Sequence, residues 1–441
     1  MDVGRHDGVD GWHAQRAVDG WLAQRAVDGW HAQRAVNAVT RIRRYDPSTV
    51  SVVSAASHGT VVDADHLPDP HSDALVIGGG QAGLSAAYFL QRFGLDERYQ
   101  LLDHAPGPGG AWQFRWPTLT LAGTNRVHDL PGYGLEEAVG DGRGEYPASS
   151  TVPEYFAKYE ERFGLRVRRP VDVRSVERDG EMFRVTLGGR LRGREITTRT
   201  LINATGTWER PFIPHIPGAA DFRGRQLHTH DYTGPDEFAG QRVLVVGAGI
   251  SAVQLLIEIA RRAPGVRTFW CSRTKPRFDP HPFSPELGRE AVARVERRVR
   301  AGLPPTSVVS VTGLALTPTI EAAQRDGILD GWRPMFTRIT ETGVCWDCAG
   351  GWAGDEVSAG EHLEVDVIFW NTGFRSALDH LAPLHLRGPG GGIVMTGRLA
   401  TTVADDPRIQ LLGYGPSAST IGANRAGREA ARNVVNLLAT G

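Results

Sequence analysis

The sequence predicts an α/β fold of two Rossmann-like dinucleotide-binding domains, the second inserted in the first, each with a small antiparallel β-meander. Three observations predict it. A glycine-turned strand–helix–strand unit runs from Asp73 to Asp103, and the same grammar restarts at Arg242. One more strand and helix pattern, Arg408–Gly415 and Ile421–Leu438, is left over after the second unit closes, as expected of a chain that returns to complete its first sheet.

The first unit begins with an apolar strand, Ala74–Ile77, and turns through Gly78, Gly80 and Gly83. A helix pattern follows from Gln81 to Phe93, with Gly94 at the C-cap position. Gly78 permits the tight turn, Gly80 lets backbone N–H groups approach a pyrophosphate, and Gly83 lets helix and strand pack closely. The helix N-terminus offers about half a positive charge to phosphates. A second strand, Tyr99–Leu102, ends on Asp103, an acid placed to accept hydrogen bonds from a ribose. Gly109-Gly110-Ala111-Trp112 and a loop-rich run lead to a helix over Pro153–Phe163, capped by Ser150 or Thr151. From Arg166 the period changes to two, with a turn at Asp179-Gly180. A buried strand, Thr200–Ala204, then finishes the unit at Gly206.

The second unit repeats the plan. Arg242–Val246 is a strand, Gly247-Ala248-Gly249-Ile250-Ser251-Ala252 the turn, and a helix continues to about Arg262. A strand, Val266–Cys271, follows, then an arginine-rich helix over Pro285–Ala301. An alternating segment, Gly343–Cys348, and a strand, Val365–Trp370, close it at Asn371-Thr372-Gly373. The division is therefore 71–232 with 376–441 for the first domain and 233–375 for the second.

Residues 1–70 are unlike the rest. A nine-residue repeat sets Trp12, Trp21 and Trp30 in register, each copy carrying an Asp-Gly breaker, and three short copies cannot bury a core. The expectation is a disordered extension. The whole chain has 441 residues and a net charge of −1, so electrostatics favours neither nucleic acid nor an anionic membrane as partner. Val243–Ala260 is apolar but contains Gly247, Gly249, Gln254 and Glu258, which reads as strand–turn–helix and not as a membrane span. MDVGRHDG lacks the regions of a signal peptide, and three cysteines make no disulfide framework, so a reduced cytoplasmic protein is expected. Nothing in the sequence sets the oligomeric state, and a homodimer stays open.

Four features together resemble the flavin-containing monooxygenases among the flavoproteins with two dinucleotide-binding domains. The resemblance covers about 72–440. The Gly78–Gly83 turn with Gln81, Asp103, Gly110 and Trp112 is similar to the family's FAD site, with Asp103 where Glu is more usual. The turn Gly247-x-Gly249-x-Ser251-Ala252 is similar to its NADPH site, with Ala252 replacing the third glycine. FRGRQLHTHDY fits the linker pattern F-x-G-x-x-x-H-x-x-x-Y through Phe222, Gly224, His228 and Tyr232. Thr124-Asn125 matches the Thr-Asn pair near the flavin of members that oxygenate nitrogen or sulfur.

The resemblance implies hydride transfer from NADPH to FAD, addition of dioxygen to give a 4a-hydroperoxyflavin, and oxygen transfer to a nitrogen or sulfur centre of a small molecule. Asn125 is the expected catalytic residue, its amide donating at the flavin edge. The C-terminal helix aims its N-terminus, near Thr420–Ala423, at the flavin. Ser272, Arg273 and Lys275 follow the second strand of the second fold without a ribose-binding acid. Arg273 and Lys275 can pair with a 2′-phosphate, which favours NADPH over NADH.

Alternatives are a Baeyer–Villiger oxygenase acting on a ketone, for which Arg333 and Arg338 are available, and an NADPH-dependent flavoprotein reductase. The latter is disfavoured because Cys345-Trp346-Asp347-Cys348 lies far beyond the second glycine turn, on opposite faces of a strand. No metal site is expected. His228, at the crossing between domains, reads as a structural or hinge residue.

Overall fold

The computed structural model describes residues 68–124, 127–140, 144–280, 285–306, 313–350 and 356–440. The N-terminal repeats lie outside these residues. The first half of the chain contributes β1 (His71–Ile77), α1 (Gln81–Arg92), β2 (Tyr99–Leu102), α2 (Leu135–Val139), α3 (Ala148–Arg162), β3 (Val167–Arg168), β4 (Val173–Asp179), β5 (Met182–Leu187) and β6 (Glu195–Asn203). β1 lies between β2 and β6, parallel to both, with Ala74 opposite Tyr99 and Thr200. Its run Ala74–Val76 is fully buried, as a central parallel strand covered on both faces requires. β4 and β5 form the antiparallel hairpin that continues onto β6.

The second half gives β7 (Arg225–His228), β8 (Arg242–Val246), α4 (Ile250–Arg262), β9 (Arg267–Ser272), β10 (Phe278–Asp279), α5 (Pro285–Arg300), β11 (Leu314–Ala315), α6 (Pro318–Arg325) and β12 (Trp332–Pro334). It continues with β13 (Arg338–Thr340), β14 (Gly343–Trp346), β15 (Glu361–Glu364) and β16 (Val367–Trp370). Its parallel sheet runs β12-β9-β8-β16-β7, and β13-β14-β15 form an antiparallel meander beside it. β7 joins this second sheet, although the sequence division kept it with the first domain, because Val367 pairs with Arg225 and Trp370 with His228.

The chain then returns. β17 (Met395–Thr396), β18 (Thr402–Val403) and β19 (Ile409–Leu411) extend the first sheet, and β19 pairs parallel with β6. The final helix, α7 (Thr420–Thr440), lies against α1. A Cβ at Gly427 would come within 2.7 Å of Ser85 Oγ and 2.9 Å of the Ala86 amide, so glycine sets how closely the two helices approach. Leu84 and Leu90, fully buried in the core that α1 shares with α7, each contribute roughly 1.5–3 kcal/mol.

Two expectations are adjusted. α3 starts at Ala148 and not Pro153, because the Ala148 amide donates to the Leu119 carbonyl (2.7 Å) and the Leu121 amide donates to the Tyr146 carbonyl (2.9 Å), fixing the entry five residues earlier. The terminal strand is short. Past Leu411, the Leu412 amide still reaches the Asn203 carbonyl (2.8 Å), but Gly413, with φ +72°, turns the chain away. One helix also crosses the sequence division. The C-terminal end of α5 packs on the first sheet, where Val299 is buried beside Tyr414 and Arg300 donates to the Gly397 carbonyl at 2.6 Å.

Candidate functional site

The first cradle is assembled where β1 ends and α1 begins. Gly78 has φ +105°, a conformation costly for any side chain, and a Cβ there would lie 2.5 Å from the Ala204 carbonyl oxygen. A Cβ at Gly83 would lie 1.8 Å from the Gly78 carbonyl oxygen, so helix and turn touch backbone to backbone. Gly80 is different: a Cβ there would meet only the Gly110 Cα, at 3.9 Å. A Cβ on Gly110, by contrast, would lie 2.8 Å from the Gly80 Cα, so the two glycines bring their backbones close together above the N-terminus of α1. Gln113 pins the Gly110 turn through Nε2, donating to the Gly107 and Gly110 carbonyls (3.1 Å each). Gln81 donates to the His128 carbonyl and to Asn424 Oδ1 (3.0 Å each), while its buried Oε1 has no hydrogen-bond partner. Asn424, in the first turn of α7, also donates to the Asp129 carbonyl (2.6 Å) and so joins three segments at the cradle.

Asp103 lies against this turn: a Cβ on Gly79 would be 2.8 Å from Asp103 Oδ2. The same Oδ2 accepts from Arg169 Nε (2.7 Å), and Arg169 makes a two-pronged pair with Glu160 (2.7 and 2.8 Å). Among the described residues Oδ1 meets only His104 Nδ1, at 3.9 Å. Burial pushes the Glu160 carboxyl upward, against the pull of Arg169. His104 is raised by its bond to Glu209, whose own carboxyl is held down by the same contact. The Arg169–Glu160 pair is a part of the cradle that sequence reasoning missed, since neither residue lies in a motif.

The second cradle repeats the first. A Cβ on Gly247 would be 2.4 Å from the Asn371 carbonyl oxygen, the counterpart of Ala204. A Cβ on Gly249 would meet nothing within 4 Å, which leaves the N-terminus of α4 open. Ala252 is fully buried, and Trp270 Nε1 donates to the Gly247 carbonyl (2.7 Å). Ser251 lies half-buried in the first turn of α4. Ser272 Oγ donates to the Thr274 carbonyl (2.8 Å) and accepts from Trp332 Nε1 (2.9 Å), fixing the start of the loop that carries Arg273 and Lys275. Both of those residues are exposed, and Lys275 Nζ lies 5.8 Å from the Trp332 ring centre.

The loop holding Thr124 is tied to both halves of the chain. Thr124 Oγ1 donates to the Leu121 carbonyl (2.7 Å), and Gln254 Nε2, from α4, donates to the Gly123 carbonyl (2.8 Å). Asn125 lies outside the described residues. His228 is buried with both ring nitrogens engaged. Nδ1 accepts from the His230 amide (3.1 Å), which leaves the proton on Nε2, 3.0 Å from the Gly373 carbonyl. Burial pushes its imidazole down to about 4, a neutral, doubly bonded ring. Arg333 pairs with Glu361 and Arg338 with Asp347 (3.0 Å), so both are committed to carboxylates at the meander. Cys345 is buried and Cys348 exposed. Among the described residues no cluster could hold a metal ion, and no helix is long and apolar enough to cross a membrane.

The family model described as pyridine nucleotide-disulphide oxidoreductase matches residues 75–301. The solved structure of a flavin-containing monooxygenase from Stenotrophomonas maltophilia is similar at 34% identity, covering 84% of this chain and 100% of that one with a TM-score of 0.67. Among curated proteins, the match to a Baeyer-Villiger monooxygenase of Streptomyces coelicolor is 30% identical over 54% of this chain and 43% of the relative. That to the senecionine N-oxygenase of Tyria jacobaeae is 26% identical over 43% of this chain and 44% of the relative. The chain spans about half the length of the first curated relatives it matches, at 51–56%.

Proposed function

This chain belongs to the pyridine nucleotide-disulphide oxidoreductase family and, within it, to the flavin-containing monooxygenases; on that premise we propose an FAD- and NADPH-dependent monooxygenase that oxygenates a nitrogen or sulfur centre of a small molecule. The observation that carries the reading is the bond from Gln254 to the Gly123 carbonyl, which ties the second dinucleotide helix to the Thr124 loop beside the first cradle.

Bound FAD supplies the electron transfer and dioxygen chemistry. The chain's own residues hold and orient. Backbone N–H groups at Gly80 and Gln81, beside the close approach of Gly110, suit a pyrophosphate, and Gln81 Oε1, without a hydrogen-bond partner among the described residues, suits an approaching donor. Asp103 keeps Oδ1 for a ribose hydroxyl while Arg169 orients its other oxygen. Gly247, Gly249, Ser251 and Ala252 form the second cradle, and Arg273 with Lys275 takes the 2′-phosphate beyond Ser272. Asn125 donates its amide at the reacting edge. His228 is a structural residue, since a ring with both nitrogens bonded to backbone has no free proton site. The proposed division is 71–232 with 376–441 and 233–375, with β7 lent to the second sheet.

Product analysis tests the choice of substrate. Amine oxide or sulfoxide from a tertiary amine or thioether is the expected result. Ester or lactone from a ketone, with no product from either soft nucleophile, would overturn it in favour of Baeyer–Villiger chemistry.

A further inference from the structure

Among the described residues Arg115 is a cation without a counter-ion. Its guanidinium carbon lies 4.4 Å from the Trp208 ring centre and 5.7 Å from that of Trp112. Its Nε is sealed from solvent and has no acceptor. Arg169 shows what the fold does with a confined arginine when it means to neutralise it: Glu160 and Asp103 pair with it directly. Around Arg115, burial acts, pushing the guanidinium down to about 10, and no carboxylate among the described residues opposes it. A half-buried charge left in this state costs stability unless something absent from the chain completes it.

The surroundings say what that is. Arg115 lies three residues beyond Trp112, on the loop leaving the Gly110 turn. Its other neighbour, Trp208, follows β6 and stacks on Phe374 (5.0 Å, 25°), which follows β16. The guanidinium therefore stands where the carboxyl ends of the two parallel sheets meet, the crevice in which such folds take dinucleotides. Ring faces flanking a guanidinium leave its in-plane N–H edge as the free donor set, which matches two oxygens of a phosphate. The first cradle already has helix N–H groups for its own pyrophosphate, whereas the Trp208 ring beside Arg115 stacks in turn on Phe374, which follows β16 of the second sheet.

We infer that Arg115 binds a diphosphate oxyanion of the nicotinamide dinucleotide, held between Trp112 and Trp208 for that purpose. The inference rests on the FAD and NADPH reading above and adds to it a residue outside both glycine turns. A diphosphate is common to NADP⁺ and NAD⁺, so Arg115 acts on both equally, unlike Arg273.

Titration calorimetry of the flavin-loaded protein with NADP⁺ and with NAD⁺ tests this. Arg115→Gln should weaken both by the same factor, about 10–100-fold, as for lost hydrogen bonds to a charged group. Flavin content and the KM for a neutral amine should stay at wild-type values, and Arg273→Ala should affect NADP⁺ alone. Unchanged nucleotide affinity overturns the inference. So does loss of flavin, which would give the oxyanion to FAD, or a defect confined to anionic substrates. Wild-type protein that binds neither nucleotide would instead sink the reading underneath. Arg115→Met supplies a second readout: without nucleotide its thermal midpoint should equal or exceed wild type, because an uncompensated charge has gone. A fall of several degrees would make Arg115 a structural residue and end the proposal.

Discussion

Two glycines three residues apart should fail in different ways when each becomes alanine. At Gly83 the new Cβ would lie 1.8 Å from the Gly78 carbonyl oxygen, about 1.6 Å short of ordinary contact at 3.4 Å. Both sides of that clash are backbone, so neither can rotate away. The cost should reach the top of the overpacking range, about 3 kcal/mol, and lower the thermal midpoint of the flavin-free protein by about 3–4 °C. At Gly80 the new Cβ would meet only the Gly110 Cα at 3.9 Å, and its φ of −83° suits alanine. Flavin-free stability should then stay within about 0.5 kcal/mol of wild type. The methyl group would instead project where the Gly80 and Gly110 backbones meet and crowd the approach of a pyrophosphate to the N-terminus of α1, so flavin occupancy should collapse. Thermal unfolding of the stripped proteins and flavin released per chain separate the two effects. Full flavin occupancy in Gly80→Ala, or equal loss of stability in both variants, would refute the distinction between a packing glycine and a cradle glycine.

Three further outcomes follow from the site. Arg273→Ala should weaken NADPH binding by about 1.5–3 kcal/mol and leave NADH unaffected; equal losses would remove the 2′-phosphate role. Asn125→Ala should raise the peroxide released per NADPH consumed, and an unchanged ratio would take Asn125 out of the mechanism. His228 gives a pH dependence. Its folded-state value near 4 lies below the 6.5 of an exposed imidazole, so between those values the unfolded chain binds the extra proton. Stability is full above pH 6.5 and should fall by up to about 3 kcal/mol as pH drops to 4. His228→Gln should flatten that slope without abolishing it, since His380 is also pushed down to about 4 by burial; a wild-type slope would refute the assignment.

The sequence carried the backbone plan well because dinucleotide turns are local. The strands Tyr99–Leu102 and Arg242–Val246 follow from hydrophobic runs bounded by glycine, and they appear with those bounds. Gly78, Gly80 and Gly83 could be given separate tasks from spacing alone, and the distances around them differ accordingly. What stayed hidden was long-range. Arg169 and Glu160 reach Asp103 from elements 66 and 57 residues away in sequence, and no local pattern marks such a triad. Asn424 meets Gln81 across 343 residues of separation. Val299 carries α5 onto the first sheet although its sequence neighbours belong to the second domain, because an amphipathic pattern announces a buried face without naming the surface that covers it. Arg115 illustrates the same limit: one arginine among many in the sequence, it is singled out only by two tryptophans that fold around it.

The most direct test of the account is the stoichiometry of oxygen uptake. Flavin-loaded protein given NADPH and a tertiary amine or thioether should consume one dioxygen for each NADPH oxidised and return one oxygenated product, with little hydrogen peroxide. Dioxygen uptake that ignores the substrate and returns as peroxide, or NADPH oxidation that instead reduces a disulfide, would contradict it.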